Sequence, residues 1–597
     1  MSGPRRAPAA EAVSTTERLA AAAAMLARGD LAEAEATVHA VLAAEPTNAK
    51  ALNLLGAAAL AQGDGPAALR ILSAAASLAP DRPEIVANLA VAHQMAGDGA
   101  AALAAAEHAA ALAPHDPGHR RLVGQLLLET GDAAAARDAA DALLAIAPDD
   151  PDALVFAASV TLAYGDRDAA EAMLAHAVAV APGHAEAQLN LSELLALRGE
   201  RTRALAAAER AQLAAPADLR ARLGLARRLA EAGELDRAEV AVKRVLAVGP
   251  ERLEPNELWS RVALARGEVE KAIGSLAELA RRRGGDDDAL FCLARLLGAA
   301  GRTEQALTIA EDLATRPVPP RGAEALRRDL LLRLGRFAAA WPPLPDVDPT
   351  EISGFIAAAG DPAETLVALA AAEALAGDRR LALHGDDTLA ALLPADTRLD
   401  VAATATEGAV LAPLAAAPAL AGGVARPARP PAVDPGRAAA WAEALAGLPR
   451  PLIGIAWSDG IAGPPLDALV DALDGAGTLV GLATCGDRAA LAGYPDVLDG
   501  GRHLADLADA VAAVAGLDAV VAADGAVLAV AGALGRPAVA VLPPGHGWAW
   551  HAGEDGRATF FPSVLVRRQP RPGIAPSAWA PALDGLRAAL GNLLGEP

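Results

Sequence analysis

Glycine returns at a fixed interval of 34 residues through the first half of the chain, at Gly29, Gly63, Gly97, Gly131, Gly165, Gly199, Gly233, Gly267, Gly301 and Gly335. A constant period of this length belongs to stacked supersecondary units, each too small to bury its own apolar face. Five positions after each glycine stands an alanine: Ala34, Ala68, Ala102, Ala136, Ala170, Ala204, Ala238, Ala272, Ala306 and Ala340. Proline keeps the same step at Pro46, Pro80, Pro114, Pro148, Pro182, Pro216 and Pro250. Glycine permits a tight turn between antiparallel helices, alanine lets the second helix approach the first, and proline stops the second helix. Leu52, Leu55, Leu89, Val123, Leu191, Leu225, Trp259 and Leu293 recur on helical faces and are the expected shared core. The reading is a solenoid of nine to ten helical hairpins over residues 15–345, after a disordered start at 1–14.

Composition supports helices packed through small side chains. Hydrophobic residues are 53% of the 597 but aromatics only 3%, so alanine and leucine must fill most of the interior. The formal net charge of −22 disfavours nucleic acid and anionic membranes as partners. No apolar run reads as a secretion signal or a membrane span, which predicts a cytoplasmic protein. Cys292 and Cys485 are too few for a disulfide framework or a thiolate metal site, and the His115/His119 pair lacks a third ligand, so no metal is expected.

The 34-residue unit with these glycine, alanine and proline marks resembles the tetratricopeptide repeat (TPR). The resemblance implies a superhelix whose first helices line a groove for a peptide. By repeat position the groove side includes Leu54, Asn88, Leu122, Phe156, Asn190 and Cys292, with Glu84, Asp152, Glu186 and Glu254 nearby. Asn88, Phe156 and Asn190 are the candidate protein-binding residues. The competing reading is that these side chains pack between repeats.

After Trp341-Pro342-Pro343-Leu344-Pro345 the pattern changes. Residues 364–376 read as a helix, 380–384 as a strand, 388–393 as a helix and 398–402 as a strand. This makes residues 346–435 a small α/β half that ends in a Pro-rich linker, 413–435. Residues 436–597 then alternate: strand 452–457, helix 466–473, strand 479–483, helix 504–514, strand 519–523, helix 527–534 and strand 538–542. Alternation with short connections predicts a parallel sheet covered by helices. Ligands of such sheets bind beyond the carboxyl ends of the strands. Ser458-Asp459-Gly460, Asp524-Gly525-Ala526 and Pro543-Pro544-Gly545-His546 are therefore expected to converge on one cleft.

Pro451-Leu-Ile-Gly-Ile-Ala-Trp457-Ser458, Gly516 to Pro537, Leu542-Pro-Pro, Trp548-Ala-Trp550, Phe561-Pro-Ser563 and Arg567-Arg-Gln569 resemble the donor-binding half of TPR-fused glycosyltransferases. These enzymes have the two-Rossmann-domain (GT-B) fold shared with heptosyltransferases and O-linked N-acetylglucosamine transferases, and the layout is similar to bacterial flagellin-modifying glycosyltransferases. The fold class expected is thus an α-solenoid (TPR superhelix) followed by an α/β GT-B-like domain with parallel Rossmann-type sheets. The resemblance implies transfer of a sugar, with a nonulosonic acid one candidate, from a nucleotide-activated donor to a protein acceptor such as flagellin. The nucleotide sugar is substrate, and no cofactor is expected. Donor-binding candidates are Trp457, Ser458, Asp524, Gly525, Ala526, His546 and Trp548. Catalytic candidates are His384, Asp386 and Asp387, in a turn that could face the cleft and supply a base; helix capping is the alternative for the two aspartates. His546 and His551 flank two tryptophans, which either stack on a ligand or pin a surface loop. Where the family has Asp-Thr and a helical histidine, this chain has Asp524-Gly525 and Ala529. That departure carries the alternative function, a TPR adaptor with a degenerate, inactive transferase-like domain.

Overall fold

A computed structural model describes residues 14–341, 349–350, 352–357, 361–385, 387–401, 411–421, 426–457, 463–483, 487–523, 525–545 and 547–595. The chain divides into two compact units, 1–198 with 206–216 and 199–205 with 217–597. The division falls inside the run of hairpins.

The first unit begins with the hairpins Thr15–Arg28/Leu31–Ala44, Ala49–Gln62/Gly65–Leu78 and Pro83–Met95/Gly99–Leu112. Pro117–Glu129/Ala133–Ile146 and Pro151–Ala163/Arg167–Val180 follow, then the helix Ala185–Leu197. The periodic glycines take left-handed φ, 78° at Gly63 and 85° at Gly131, which a Cβ would strain. The aspartate after the glycine then caps the second helix: Asp64, Asp98, Asp132 and Asp166 accept from the amides of Ala67, Ala101, Ala135 and Ala169. The turn alanines Ala34, Ala68, Ala102, Ala136 and Ala170 are fully buried where the helices touch. At the amino end Ser14, read as part of a disordered start, forms a capping box with Glu17; residues 1–13 lie outside the described residues.

The second unit continues with Leu219–Glu231/Leu235–Leu246, Leu253–Ala265/Val269–Arg282, Asp287–Ala299/Thr303–Ala314 and Ala323–Arg333/Phe337–Ala340. Two sheets follow. The first holds β1 (Gly354–Ile356), β2 (Leu381–His384), β3 (Leu399–Val401) and β4 (Leu411–Pro413) in the order β3-β2-β1-β4. The second holds β5 (Leu452–Ala456), β6 (Thr478–Gly481), β7 (Leu498–Asp499), β8 (Ala519–Ala522), β9 (Ala538–Leu542) and β10 (Val564–Arg568) in the order β10-β9-β8-β5-β6-β7. Every pairing is parallel. Helices cover both sheets, so this is an α/β region. In each sheet the order reverses beside the first strand, leaving a crevice between β1 and β4 and another between β5 and β8.

One apolar core joins the last hairpins to the α/β region. It runs from Leu276, Leu293 and Leu330 through Phe355, Leu383 and the helix Pro362–Ala376 to the helix Ala526–Ala533 and β9. A chain with only seven tryptophans and six phenylalanines places two of each in this seam. Phe337 stacks on Trp341 at 5.8 Å and meets Phe560 edge-on at 5.3 Å, while Trp548 lies edge-on to Trp341 and Phe560, 5.6 Å from each. Such pairs contribute about 0.5–1.5 kcal/mol each beyond area burial.

The Pro-rich stretch read as a linker is instead a strap. Residues 411–413 form β4, and 414–420 continue as short helical turns. Beyond them Ala428 N–H donates to the Phe560 carbonyl at 2.9 Å and Ala432 N–H to that of Leu393 at 2.7 Å. Arg429 reaches Asp396 at 2.7 Å and the buried Glu373 at 3.3 Å. Proline fixes φ and holds the backbone extended, so the remaining amides are presented sideways to neighbours. The stretch 342–348, with the prolines that end the repeat, lies outside the described residues.

The tightest contact in the seam is backbone on backbone. A Cβ on Gly545 would lie 1.8 Å from the Gly298 carbonyl oxygen, and Arg333 donates to the Gly545 carbonyl. Gly545→Ala is expected to cost about 1–3 kcal/mol through forced displacement, read as a lower urea midpoint in tryptophan-fluorescence unfolding. An unchanged midpoint would show that the seam is not held there.

Candidate functional site

The second sheet carries a cavity of about 380 Å³ at the carboxyl ends of β5, β6 and β8, where the strand order reverses. Ala456 and Trp457 continue β5, Leu482 and Ala483 continue β6, and Ala523 continues β8. Gly525, Ala526 and Val527 open the helix Ala526–Ala533 onto the cavity, and Leu504, Asp506, Leu507 and Ala510 close it from the helix Leu507–Ala515 and the turn before it. Two features are polar. Trp457 is 5% exposed, and its indole Nε1 has no hydrogen-bond acceptor among the described residues; a buried unpaired donor is costly unless something fills the place. The helix Ala526–Ala533 begins at Gly525, which has no side chain to cap it, and the positive end of its dipole lies at the cavity. Asp506 is held by Arg437 at 2.6 Å, and this hydrogen bond, the larger cause, keeps its carboxyl below the usual range.

Of the donor-binding candidates, Trp457, Gly525 and Ala526 line this cavity. Ser458, Asp524 and His546 lie outside the described residues. Trp548 is placed elsewhere: it is buried against Trp341 and Phe560 in the seam. The third loop follows it, for Pro544 and Gly545 pack against the helix end at Gly298 and Gly301. Of the three loops expected to converge, the second reaches the crevice through Gly525 and Ala526, the third carries the docking contact instead, and the first, Ser458-Asp459-Gly460, lies outside the described residues. His384 ends β2, and its carbonyl accepts from Ala357 N–H at 2.8 Å. The short turn Asp387–Leu392 that follows packs on the helix Leu507–Ala515, one wall of the cavity. Asp386 and the side chain of Asp387 are outside the described residues.

The groove candidates separate. Phe156 is buried against the bare α-carbon of Gly124 and also lines a cavity of about 330 Å³ with Asp152 and Glu186. Asn88 is spent on its neighbour, donating from Nδ2 to Asn53 Oδ1 at 2.9 Å. Asn190 is half-buried and does not line that cavity. Cys292 is buried, and burial pushes its thiol up to about 11, which removes it as a nucleophile at neutral pH. Cys485 is outside the described residues. Among the described residues no group of three or more His, Cys, Asp or Glu could hold a metal ion, and no helix is long and apolar enough to cross a membrane.

Residues 59–126, from the end of the first helix of the second hairpin through most of the first helix of the fourth, match the model of the tetratricopeptide repeat family. The helical hairpins include tetratricopeptide repeats. No curated protein matches the chain. Among solved structures, a TPR protein from Parabacteroides merdae is 20% identical over 41% of this chain and 98% of its own, at a TM-score of 0.34. The Cut9–Hcn1 hetero-tetramer of the APC/C is 17% identical over 42% of this chain and 49% of its own, at 0.35. A TPR protein from Thermus thermophilus is 20% identical over 31% of this chain and all of its own, at 0.29.

His551, a possible ligand contact by sequence, belongs to the seam. Its ring meets Phe337 edge-on at 5.4 Å, its Nδ1 lies 2.9 Å from Thr559 Oγ1, and it packs on the Gly335 turn. Burial, reinforced by the charge of Arg568, lowers its pKa below the ordinary 6.5. The folded chain therefore binds fewer protons there than the unfolded chain. The stability contributed is complete above pH 6.5 and drains as pH falls below it. His551→Gln should flatten that part of the stability–pH curve relative to the parent; a parallel curve would contradict this placement.

Proposed function

We propose that the chain is a protein glycosyltransferase of the GT-B kind, in which the TPR hairpins recruit a polypeptide acceptor and the β5/β8 crevice takes a nucleotide-activated sugar. The observation that carries the reading is the cavity at the strand-order reversal, lined by the buried Trp457, whose N–H has no acceptor among the described residues, and by the N-terminus of the helix Ala526–Ala533. A phosphate is stabilised at such a terminus without any basic side chain, and an acceptor atom of the base or sugar satisfies the indole. Two adjoining parallel sheets that each reverse order beside their first strand supply the two halves a GT-B enzyme needs. The turn from His384 through Asp387 supplies the base that removes the acceptor hydroxyl proton, and the helix dipole stabilises the leaving phosphate. Flagellin as acceptor, a nonulosonic acid as sugar and a cytoplasmic place of action rest on the sequence resemblance.

One observation favours the second reading, an adaptor with an inactive transferase-like domain. The described walls of the cavity carry no lysine or arginine, and Asp506 is already paired with Arg437. Calorimetric titration with a panel of nucleotide sugars separates the two. The transferase reading expects binding by at least one donor, weakened about tenfold in Trp457→Phe, which deletes one hydrogen bond worth roughly 1.4 kcal/mol and keeps the ring. The adaptor reading expects no heat from either protein.

A further inference from the structure

Resting on the reading that the hairpins recruit a polypeptide, we propose that the groove along the helices Pro117–Glu129, Pro151–Ala163 and Ala185–Leu197 takes an extended segment bearing a lysine or arginine beside a bulky apolar residue. The groove encloses about 330 Å³. Leu128 and Phe156 form its apolar surface, and three carboxylates, Glu129, Asp152 and Glu186, line it against one guanidinium, Arg121.

Two of those carboxylates are held by hydrogen bonds from neighbouring side chains. Glu129 accepts from the Gln94 amide at 2.6 and 2.7 Å. Asp152 lies 3.1 Å from His184 Nε2. His184 Nδ1 accepts the Ala187 N–H at 3.1 Å, capping its own helix. With Nδ1 accepting, Nε2 is the nitrogen turned toward Asp152. Both carboxylates are oriented by these bonds, and neither is ion-paired to a lysine or arginine among the described residues, so their negative charge is left for an incoming cation. Preorganised charge of this kind selects partners by sign. Side chains two positions apart stand on one side of an extended chain, about 6.6 Å from each other, a spacing long lysine and arginine side chains can stretch to carboxylates on packed helices about 8–10 Å apart. An apolar residue two positions from the cation, on the same side of the chain, meets the apolar surface around Phe156.

The test is fluorescence anisotropy on the full chain with two labelled octapeptides, one repeating Leu-Leu-Lys-Lys and the other Leu-Leu-Glu-Glu, each of which puts both residue types on either side of an extended chain. The first should bind at least tenfold more tightly. Asp152→Asn combined with Glu186→Gln should weaken it about tenfold. Arg121→Glu should tighten it, a gain that misfolding does not produce. Equal affinity for the two peptides, binding of neither, or indifference to all three substitutions overturns the proposal. The assay contains no sugar nucleotide, so its failure leaves donor binding in the β5/β8 crevice standing, and absence of donor binding leaves the groove standing.

Discussion

The close approach of Gly545 to the Gly298 carbonyl governs the second unit. Only a residue without a Cβ lets the loop after β9 sit against the end of a repeat helix, and the aromatic cluster of Phe337, Trp341, Trp548 and Phe560 closes around that contact. The same loop would otherwise be available to the crevice at the carboxyl end of the sheet. Docking uses it up, and the crevice is left to the ends of β5, β6 and β8. The last hairpins are thus part of the α/β region's own core, and the amide of Ile574 bonding the Ala265 carbonyl at 2.9 Å extends that union to an earlier repeat.

Within the crevice the polar groups are few and each is explained by its surroundings. Asp506 is paired with Arg437, the walls are mostly alanine, leucine and valine, and the remaining polarity among the described residues is the Trp457 N–H and the helix N-terminus. A site of this composition binds by shape and by fixed dipoles, whose effect grows as water is excluded. The groove of the first unit is the opposite case, with carboxylates oriented by an amide and an imidazole and an aromatic ring beside them.

Much of the fold was legible because it follows from local rules. The 34-residue glycine period located the turn inside each hairpin, since left-handed φ favours glycine there, and strand β9 was placed to the residue by five consecutive apolar positions between turns. The cavity-lining Trp457, Gly525 and Ala526 were legible for the same reason: they follow strands, and strand ends define the crevice. What escaped depended on contacts distant in sequence. Trp548 reads equally well as a ligand platform or a core residue until Trp341 is beside it. The prolines of 413–435 suggest a spacer until the amides of Ala428 and Ala432 find their acceptors. Strands β7 and β10 carry little apolar signal, two residues in one case and a run ending Arg567-Arg568 in the other. The Gly-Asp pairs were a signal left unread: an aspartate follows five of the periodic glycines, and at four of them it caps the next helix.

The central claim is that an activated sugar occupies the crevice between β5 and β8. Photo-crosslinking with a diazirine-bearing nucleotide sugar, followed by peptide mapping, addresses it most directly. The account predicts adducts on residues 504–510 and 525–528 that unlabelled donor competes away. Adducts confined to other parts of the chain, or none that the donor competes for, would contradict it.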